Sequence, residues 1–355
     1  LYVAMAQTGR TFRGDTVDAL RVITRSAEPN YEPGARYLYT NSGWILAAQI
    51  VYRLTGQTLA QFAEARIFAP LGMRDTRYLA DAAAVLPNAA EGYAPDTAGG
   101  FRLARSTYDG AIVGAGAVHT TIEDFGRWLD NYDAATVGGR DLLTAMTTPT
   151  LLTDGTPARS GPTQAYALGL NVGTLRGLRV VGHGGSWAGY RGHFLRFPDQ
   201  RVAVATFCNL TTSGPDSLAR KVAGIYLADR MQPDSAAAWS DALAAAPVVA
   251  LPAATLAPLV GVWRHVERGE VRRTRLAGDT LVELGGERRR LVPLGERRFR
   301  AEPGAELRFE GDGPVPTRLV VRTTGETVTY VRADSAALAP ERLAEYAGVY
   351  ESDEV

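Results

Sequence analysis

Four apolar, β-branched runs, at residues 167–172, 178–181, 192–197 and 202–207, follow one another across short turn signals such as Pro198-Asp199-Gln200. Connections this short leave room only for antiparallel neighbours, since a parallel pair needs a crossover of about a dozen residues or more. The spacing predicts an antiparallel meander. Helical patterns flank it at 17–25, at 44–54 with Gly56 as the stop, at 58–66 with Thr58 as N-cap, after Thr121, and at 217–229. Leu46, Ile50 and Leu54 repeat at helical spacing and are expected to face a core, as are Phe125, Trp128 and Leu129. A sheet with helices packed on it, α+β in class, is the expected architecture.

The texture changes further along. Residues 232–255 are rich in Ala and Pro and read as a linker with a short helix, which divides a first domain, 1–231, from a C-terminal part. Residues 256–338 alternate over short Arg-rich segments broken by Gly278-Asp279, Gly285-Gly286, Gly311-Asp312-Gly313 and Gly325, the pattern of a small all-β domain, barrel-like or a sandwich. Arg288-Arg289-Arg290, with Glu283 and Glu287 beside it, reads as a solvated strand face. Leu256-Ala257-Pro258-Leu259-Val260-Gly261-Val262-Trp263 is similar to Leu343-Ala344-Glu345-Tyr346-Ala347-Gly348-Val349-Tyr350, so 339–355 reads as the start of a second, truncated β module.

Charge narrows the chemistry. Of the 38 Lys plus Arg, only Lys221 is lysine, and 38 acidic residues bring the formal net charge to zero. Nothing steers such a chain toward nucleic acid, and a small-molecule or peptide substrate is the expected partner. No oligomeric state is implied. Arginine stays protonated at working pH, so any lysine base has one candidate here. The single cysteine, Cys208, lies at the end of an apolar run and reads as a buried, inert thiol. His119, His183, His193 and His265 are scattered without ligand spacing, so neither a metal nor another cofactor is expected. No stretch is apolar for the roughly 20 residues a bilayer span needs, and Leu1-Tyr2-Val3-Ala4-Met5-Ala6 does not form a signal peptide.

Two segments carry candidate chemistry. Tyr39-Thr40-Asn41 sits between the turn Glu32-Pro33-Gly34 and a helical run, where a phenol can carry a proton. Val180-Val181 leads into Gly182-His183-Gly184-Gly185-Ser186, a strand whose glycines let a substrate lie against the backbone. Gly184-Gly185-Ser186-Trp187-Ala188 nearly spells a nucleophile elbow, but Ala188 replaces the last glycine and no helix comes after it, so Ser186 is not expected to be a nucleophile. The glycine-rich 110–116 misses both the P-loop and the dinucleotide spacings and reads as a tight loop near a site.

With Pro33-Gly34, Ile67-Phe68-Ala69-Pro70-Leu71-Gly72-Met73 and His119-Thr120-Thr121-Ile122-Glu123-Asp124, these segments resemble the serine beta-lactamase-related hydrolases, the group of class C beta-lactamases, D-alanyl-D-alanine carboxypeptidases and related esterases. The resemblance covers residues 1–231 in order. It implies a beta-lactamase/transpeptidase-like sheet flanked by helices, an acyl-enzyme acting on amide or ester bonds, a lipocalin-like C-terminal β module, and a periplasmic or secreted location. By the same resemblance Tyr39 relays the proton, Asn41 holds the substrate amide or the catalytic groups, and His183-Gly184-Gly185 matches the Lys-Thr-Gly strand in its His-x-Gly form. The N–H of Ser186 would then stabilise the oxyanion, and Arg191 would meet a substrate carboxylate.

One departure is large. The family nucleophile stands in Ser-x-x-Lys upstream of the tyrosine, yet no lysine precedes Tyr39, and Leu218 stands three residues before Lys221. The expectation is a chain lacking the family's N-terminal strands and nucleophile helix, inactive by itself. The alternative is a catalytically dead relative that binds a ligand in the retained cleft.

Overall fold

The structure, a computed structural model, describes residues 16–333 apart from 26–27, 80–83, 97–98, 105–111, 162, 266–269, 285–287, 302–303 and 325–326. The chain divides between Gln232 and Pro233 into two compact units.

In the first unit, α1 (Thr16–Arg25) precedes α2 (Ser42–Thr55), which stops where predicted: Gly56 takes φ +69° and donates its N–H to Tyr52 O at 2.8 Å. α3 (Leu59–Ala63) opens on a reciprocal capping box between Thr58 and Gln61 and passes into a π-helical turn, Glu64–Phe68. α4 (Ile122–Ala134) is capped by Thr121, whose Oγ1 accepts from Asp124 N at 3.2 Å. α5 (Gly139–Met146) and α6 (Pro215–Tyr226) complete the helices that pack on the sheet.

The sheet holds β1 (Arg159–Gly161), β2 (Gln164–Tyr166), β3 (Asn171–Leu175), β4 (Leu178–Trp187), β5 (Tyr190–Phe197) and β6 (Val202–Cys208), in the spatial order β6-β5-β4-β3-β2-β1 with every neighbour antiparallel. Of the run 167–172, read as one strand, 167–170 are instead a turn between β2 and β3, and Asn171 and Val172 open β3. Gly169 adopts φ +82° there, and Ala167 N bonds Leu170 O at 2.8 Å. Alternation puts Val181 and Phe194 against Leu129, Tyr132 and Leu143, and puts Val180, Leu195 and Phe197 against Ala219, Ala223 and Leu227. Both faces of the sheet are therefore buried by helices.

Two expectations about burial fail. Leu46, Ile50 and Leu54 are 39%, 58% and 80% exposed, because α2 turns Ile45 and Ala48 inward; Ile45 clusters with Ala19 and Ile112. Cys208 is half-buried rather than buried, since it ends β6 at the edge of the sheet.

The second unit begins with α7 (Ser235–Ala245), inside the stretch read as a linker, and α8 (Ala253–Leu256), which straddles its end. Leu243 and Leu256 are buried, and Arg300 Nη1 donates to the carbonyls of Leu243 and Ala244 at the end of α7. That stretch is thus packed as part of this unit. Eight strands come next: β7 (Gly261–His265), β8 (Val271–Ala277), β9 (Thr280–Leu284), β10 (Arg288–Gly295), β11 (Arg298–Ala301), β12 (Ala305–Glu310), β13 (Arg318–Arg322) and β14 (Thr327–Ala333), each paired to the next and β14 back to β7. The sheet is closed, so of the two all-β forms its turn-punctuated alternation allows, barrel or sandwich, it takes the barrel. Glu283, expected on a solvated face, is 2% exposed and paired with Arg272. Glu287 and 339–355 lie outside the described residues.

Candidate active site

Tyr39 and Asn41 stand at the mouth of α2. Asn41 holds the N-cap position at φ −84° and ψ −25°, and its carbonyl accepts from Trp44 N and Ile45 N, each at 3.2 Å. Its side chain makes no capping bond; Thr40 Oγ1 instead accepts from Ser42 N at 3.1 Å. The Asn41 amide lines a cleft of about 610 Å³ together with Tyr39.

The facing wall is the second half of β4. β3 pairs with β4 only as far as Gly182, so among the described residues 183–187 are strand-paired with β5 alone. Trp187 and Tyr190 close one two-residue turn, and Leu175 and Leu178 close another. Hydrogen-bonded and non-bonded pairs alternate from both closures, which sends the N–H groups of Gly184 and Ser186 away from β5. They lie on the edge that β3 has left open. Backbone donors on an open strand edge beside a cleft can hold a developing oxyanion.

His183 sits where this edge begins. Its ring stacks on that of Tyr39, centroids 6.1 Å apart and planes 24° apart. Nδ1 is 2.5 Å from Gly184 O, and Nε2 is 3.3 Å from the phenolic oxygen of Tyr166 on β2. Tyr37 packs on Tyr166 at 5.0 Å. Burial, then the neighbouring phenols of Tyr37 and Tyr39, pushes the Tyr166 hydroxyl up to about 12, so it stays protonated.

The remaining wall comes from Ile112 and residues 115–118, with Trp187 and Tyr190 at the hairpin tip. Gly114, at φ +121°, brings the 112–118 segment onto α2, and a Cβ there would lie 2.6 Å from Trp44 O. The hairpin tip is strapped by 90–93. Gly189 and Gly92 meet so closely that a Cβ on either would fall within 2.8 Å of the other's backbone, while Tyr190 Oη donates to Ala90 O at 2.5 Å. None of the described lining residues is Asp, Glu, Lys or Arg.

Behind the wall His193 faces Gly184 across β4 and β5. Its Nε2 is 3.1 Å from Asp216 Oδ1 without a well-aligned hydrogen bond, and Arg220 Nε donates to both oxygens of that carboxylate at 2.8 and 2.9 Å. Burial holds the imidazole below its ordinary range; Asp216 opposes this, and Arg220 and His183 add to it.

Of the residues singled out from sequence, the fold gathers Tyr39, Asn41, His183, Gly184, Gly185 and Ser186 on one cleft. Arg191 is not among the lining residues. Its Nη1 donates to Ala188 O at 2.9 Å and Tyr190 O at 2.7 Å, carbonyls of the tight turn beside it. The His119–Asp124 motif proves to be scaffolding. Buried Asp124 accepts from Asp75 N at 2.7 Å, from Thr76 Oγ1 at 3.0 Å and from Arg127, pinning the loop after Met73 to the start of α4. Sequence reasoning does not find Tyr37, Tyr166, Trp187 or Tyr190, and only the position of Trp187 directly after the glycine motif could signal one of them.

The beta-lactamase family profile matches residues 5–228. The D-aminopeptidase of Cereibacter sphaeroides is 30% identical over 212 residues, 58% of this chain and 37% of that protein. The D-aminopeptidase of Brucella anthropi is 29% identical over 231 residues, 63% of this chain and 42% of the other. The chain thus spans about two fifths of the length of these curated relatives. Among solved structures, the octameric penicillin-binding protein homologue from Pyrococcus abyssi aligns over 92% of this chain and 72% of its own, at TM-score 0.58 and 18% identity. The D-amino acid amidase from Ochrobactrum anthropi SV3, complexed with L-phenylalanine amide, aligns over 62% of this chain and 66% of its own, at TM-score 0.50 and 22% identity. At these identities the structures speak for the fold alone.

Proposed function

The chain belongs to the beta-lactamase family, and on that premise we propose that its cleft is the acyl-transfer centre of a serine hydrolase acting on amide bonds. The observation that carries this reading is the meeting of the Tyr39 and His183 rings, 6.1 Å apart, beside the open strand edge of Gly184 and Ser186. A proton carrier and backbone oxyanion donors then flank one reaction space. In this reading a serine attacks the carbonyl, its proton leaves through Tyr39 and a lysine, and the oxyanion rests on the Ser186 N–H. The amine departs with a proton from Tyr39, and water repeats the sequence on the acyl-enzyme. Asn41 orients the substrate amide.

The serine and lysine are proposed to belong to a Ser-x-x-Lys segment outside residues 1–355, since Lys221 lies on α6 and follows Leu218 at that spacing. Relatives named D-aminopeptidase support a D-configured acyl group. The uncharged described lining, with Trp187 and Tyr190 39% and 37% exposed, supports an apolar one. An extracytoplasmic site of action is proposed from the family resemblance.

The test is acylation. The complete gene product and residues 1–355 are each treated with a fluorophosphonate probe and with aromatic D-amino acid p-nitroanilides. Labelling of a Ser-x-x-Lys serine and release of nitroaniline by the complete product alone is expected. Turnover by residues 1–355 unaided would overturn the assignment of the nucleophile. Binding of D-amino acid amides without any acylation by the complete product would favour the ligand-binding relative instead.

A further inference from the structure

Both ring nitrogens of His183 have partners, and the partners differ in kind. The Gly184 carbonyl, 2.5 Å from Nδ1, can only accept, so Nδ1 carries a hydrogen. In a neutral imidazole the other nitrogen then holds a lone pair, and the Tyr166 hydroxyl at 3.3 Å has the hydrogen that fills it. Tyr166 is fixed in turn by the Tyr37 ring, 5.0 Å away, and by its place on β2, two strands from β4. Its phenol, pushed up by burial to about 12, is a donor at working pH. No Asp or Glu lines the cleft beside the ring among the described residues.

We infer that Tyr166 is a positioning residue that, together with the Gly184 carbonyl, fixes His183 as the neutral Nδ1–H tautomer and fills its Nε2 lone pair, leaving none free for proton abstraction. His183 then acts through shape. Its Nδ1–H occupies the Gly184 carbonyl, so that this carbonyl is not offered to a substrate beside the Gly184 and Ser186 donors, and its ring face steadies the Tyr39 ring at 24°. The proton traffic of the site is left to Tyr39. The catalytic consequence rests on the hydrolase reading above; the tautomer does not.

The experiment is long-range ¹H–¹⁵N correlation spectroscopy of the histidine rings in ¹⁵N-labelled residues 1–355 at about pH 7.5, with His183 assigned through His183→Gln. The expected pattern is a protonated Nδ1 and an unprotonated Nε2. In Tyr166→Phe the pattern moves toward the Nε2–H form that free imidazoles prefer. An Nε2–H or doubly protonated ring in the unaltered chain overturns the inference, and so does an unchanged tautomer in Tyr166→Phe. Should Tyr166→Phe fail to fold, the unaltered chain decides. In the complete gene product Tyr166→Phe is expected to lower kcat about 10-fold or more with KM little changed. If the tautomer is as expected but the complete product never acylates, the hydrolase reading fails while the inference stands.

Discussion

Replacing Tyr39 by Phe removes one hydroxyl and leaves the ring that stacks on His183, so its effect isolates proton transfer from packing. A positioned general base or acid contributes about 10²–10⁴-fold, and the complete gene product carrying Tyr39→Phe should lose kcat in that range while binding substrate nearly as before. A rise in KM with kcat intact, measured under steady-state conditions, would reassign Tyr39 to recognition. His193 makes a separate claim on stability. Its folded pKa lies below the ordinary 6.5, so the unfolded chain takes up the proton first on acidification. Its contribution is therefore whole above 6.5 and is lost as pH falls from there through the depressed folded value. Asp154 and Glu306, whose carboxyls are also held low, act only below 3.8 and 4.5. Thermal melts between about pH 7 and about pH 5 should show a falling midpoint that flattens in His193→Gln; an equal slope in both proteins would remove His193 as the cause. At this scale Tyr39, Asn41 and 183–186 were legible because each stands inside a short ordered motif. Tyr166 was not, because only the pairing of β2, β3 and β4 brings it to His183.

The elements themselves announce their chemistry in local spacing, and lose it where orientation is decided by neighbours. Thr58, Thr121 and Gly56 mark helix ends that the structure keeps, since capping is settled within one turn. The rotation of α2 is not so settled. The period that made Leu46, Ile50 and Leu54 a stripe is real, yet contact with α1 and Ile112 selects Ile45 and Ala48. Likewise the cleft wall at 112–118 has no periodicity to read, and it is set by the approach of Gly114 to α2. The β4–β5 hairpin depends on such an approach as well. A methyl group on Gly189 would lie 2.4 Å from Gly92 backbone atoms, and neither backbone can yield without giving up the bond from Tyr190 to Ala90 O. Gly189→Ala should destabilise the first unit by about 1–3 kcal/mol, as overpacking does, and should raise deuterium uptake at 88–95 and 186–192. A variant with native uptake in both peptides would show that the contact has room to relax.

The two units raise different questions of the whole molecule. Family membership bears on the first, while the second has to be judged by its interior. An alternating sequence of short strands predicts a barrel or a sandwich but cannot say whether a barrel is hollow, because inward positions alternate the same way in both cases. Side-chain volume decides. Here Trp263, Leu281, Leu291, Phe299, Leu307, Phe309, Leu319 and Tyr330 are each 2% exposed or less and belong to one cluster, with Phe309 set edge-on to Trp263 at 5.4 Å and to Phe299 at 5.6 Å. Eight strands enclose a space that side chains of this size can fill. Even the indole N–H is spent internally, donating to Thr274 Oγ1 at 2.9 Å, which in turn donates to Leu259 O. The expected all-β barrel is therefore present as a closed eight-strand layout whose described interior is filled by side chains. Phe309→Ala should cost about 3–5 kcal/mol, read as loss of exchange protection across 261–333 at lower denaturant than in the unaltered protein. The unaltered barrel should leave Trp263 fluorescence unmoved by a long-chain fatty acid, whereas Phe309→Ala, with a dry void beside the indole, should admit a benzene-sized probe. Quenching of Trp263 by the fatty acid in the unaltered protein would mean that the core opens to ligand, and the packing argument would fail with it.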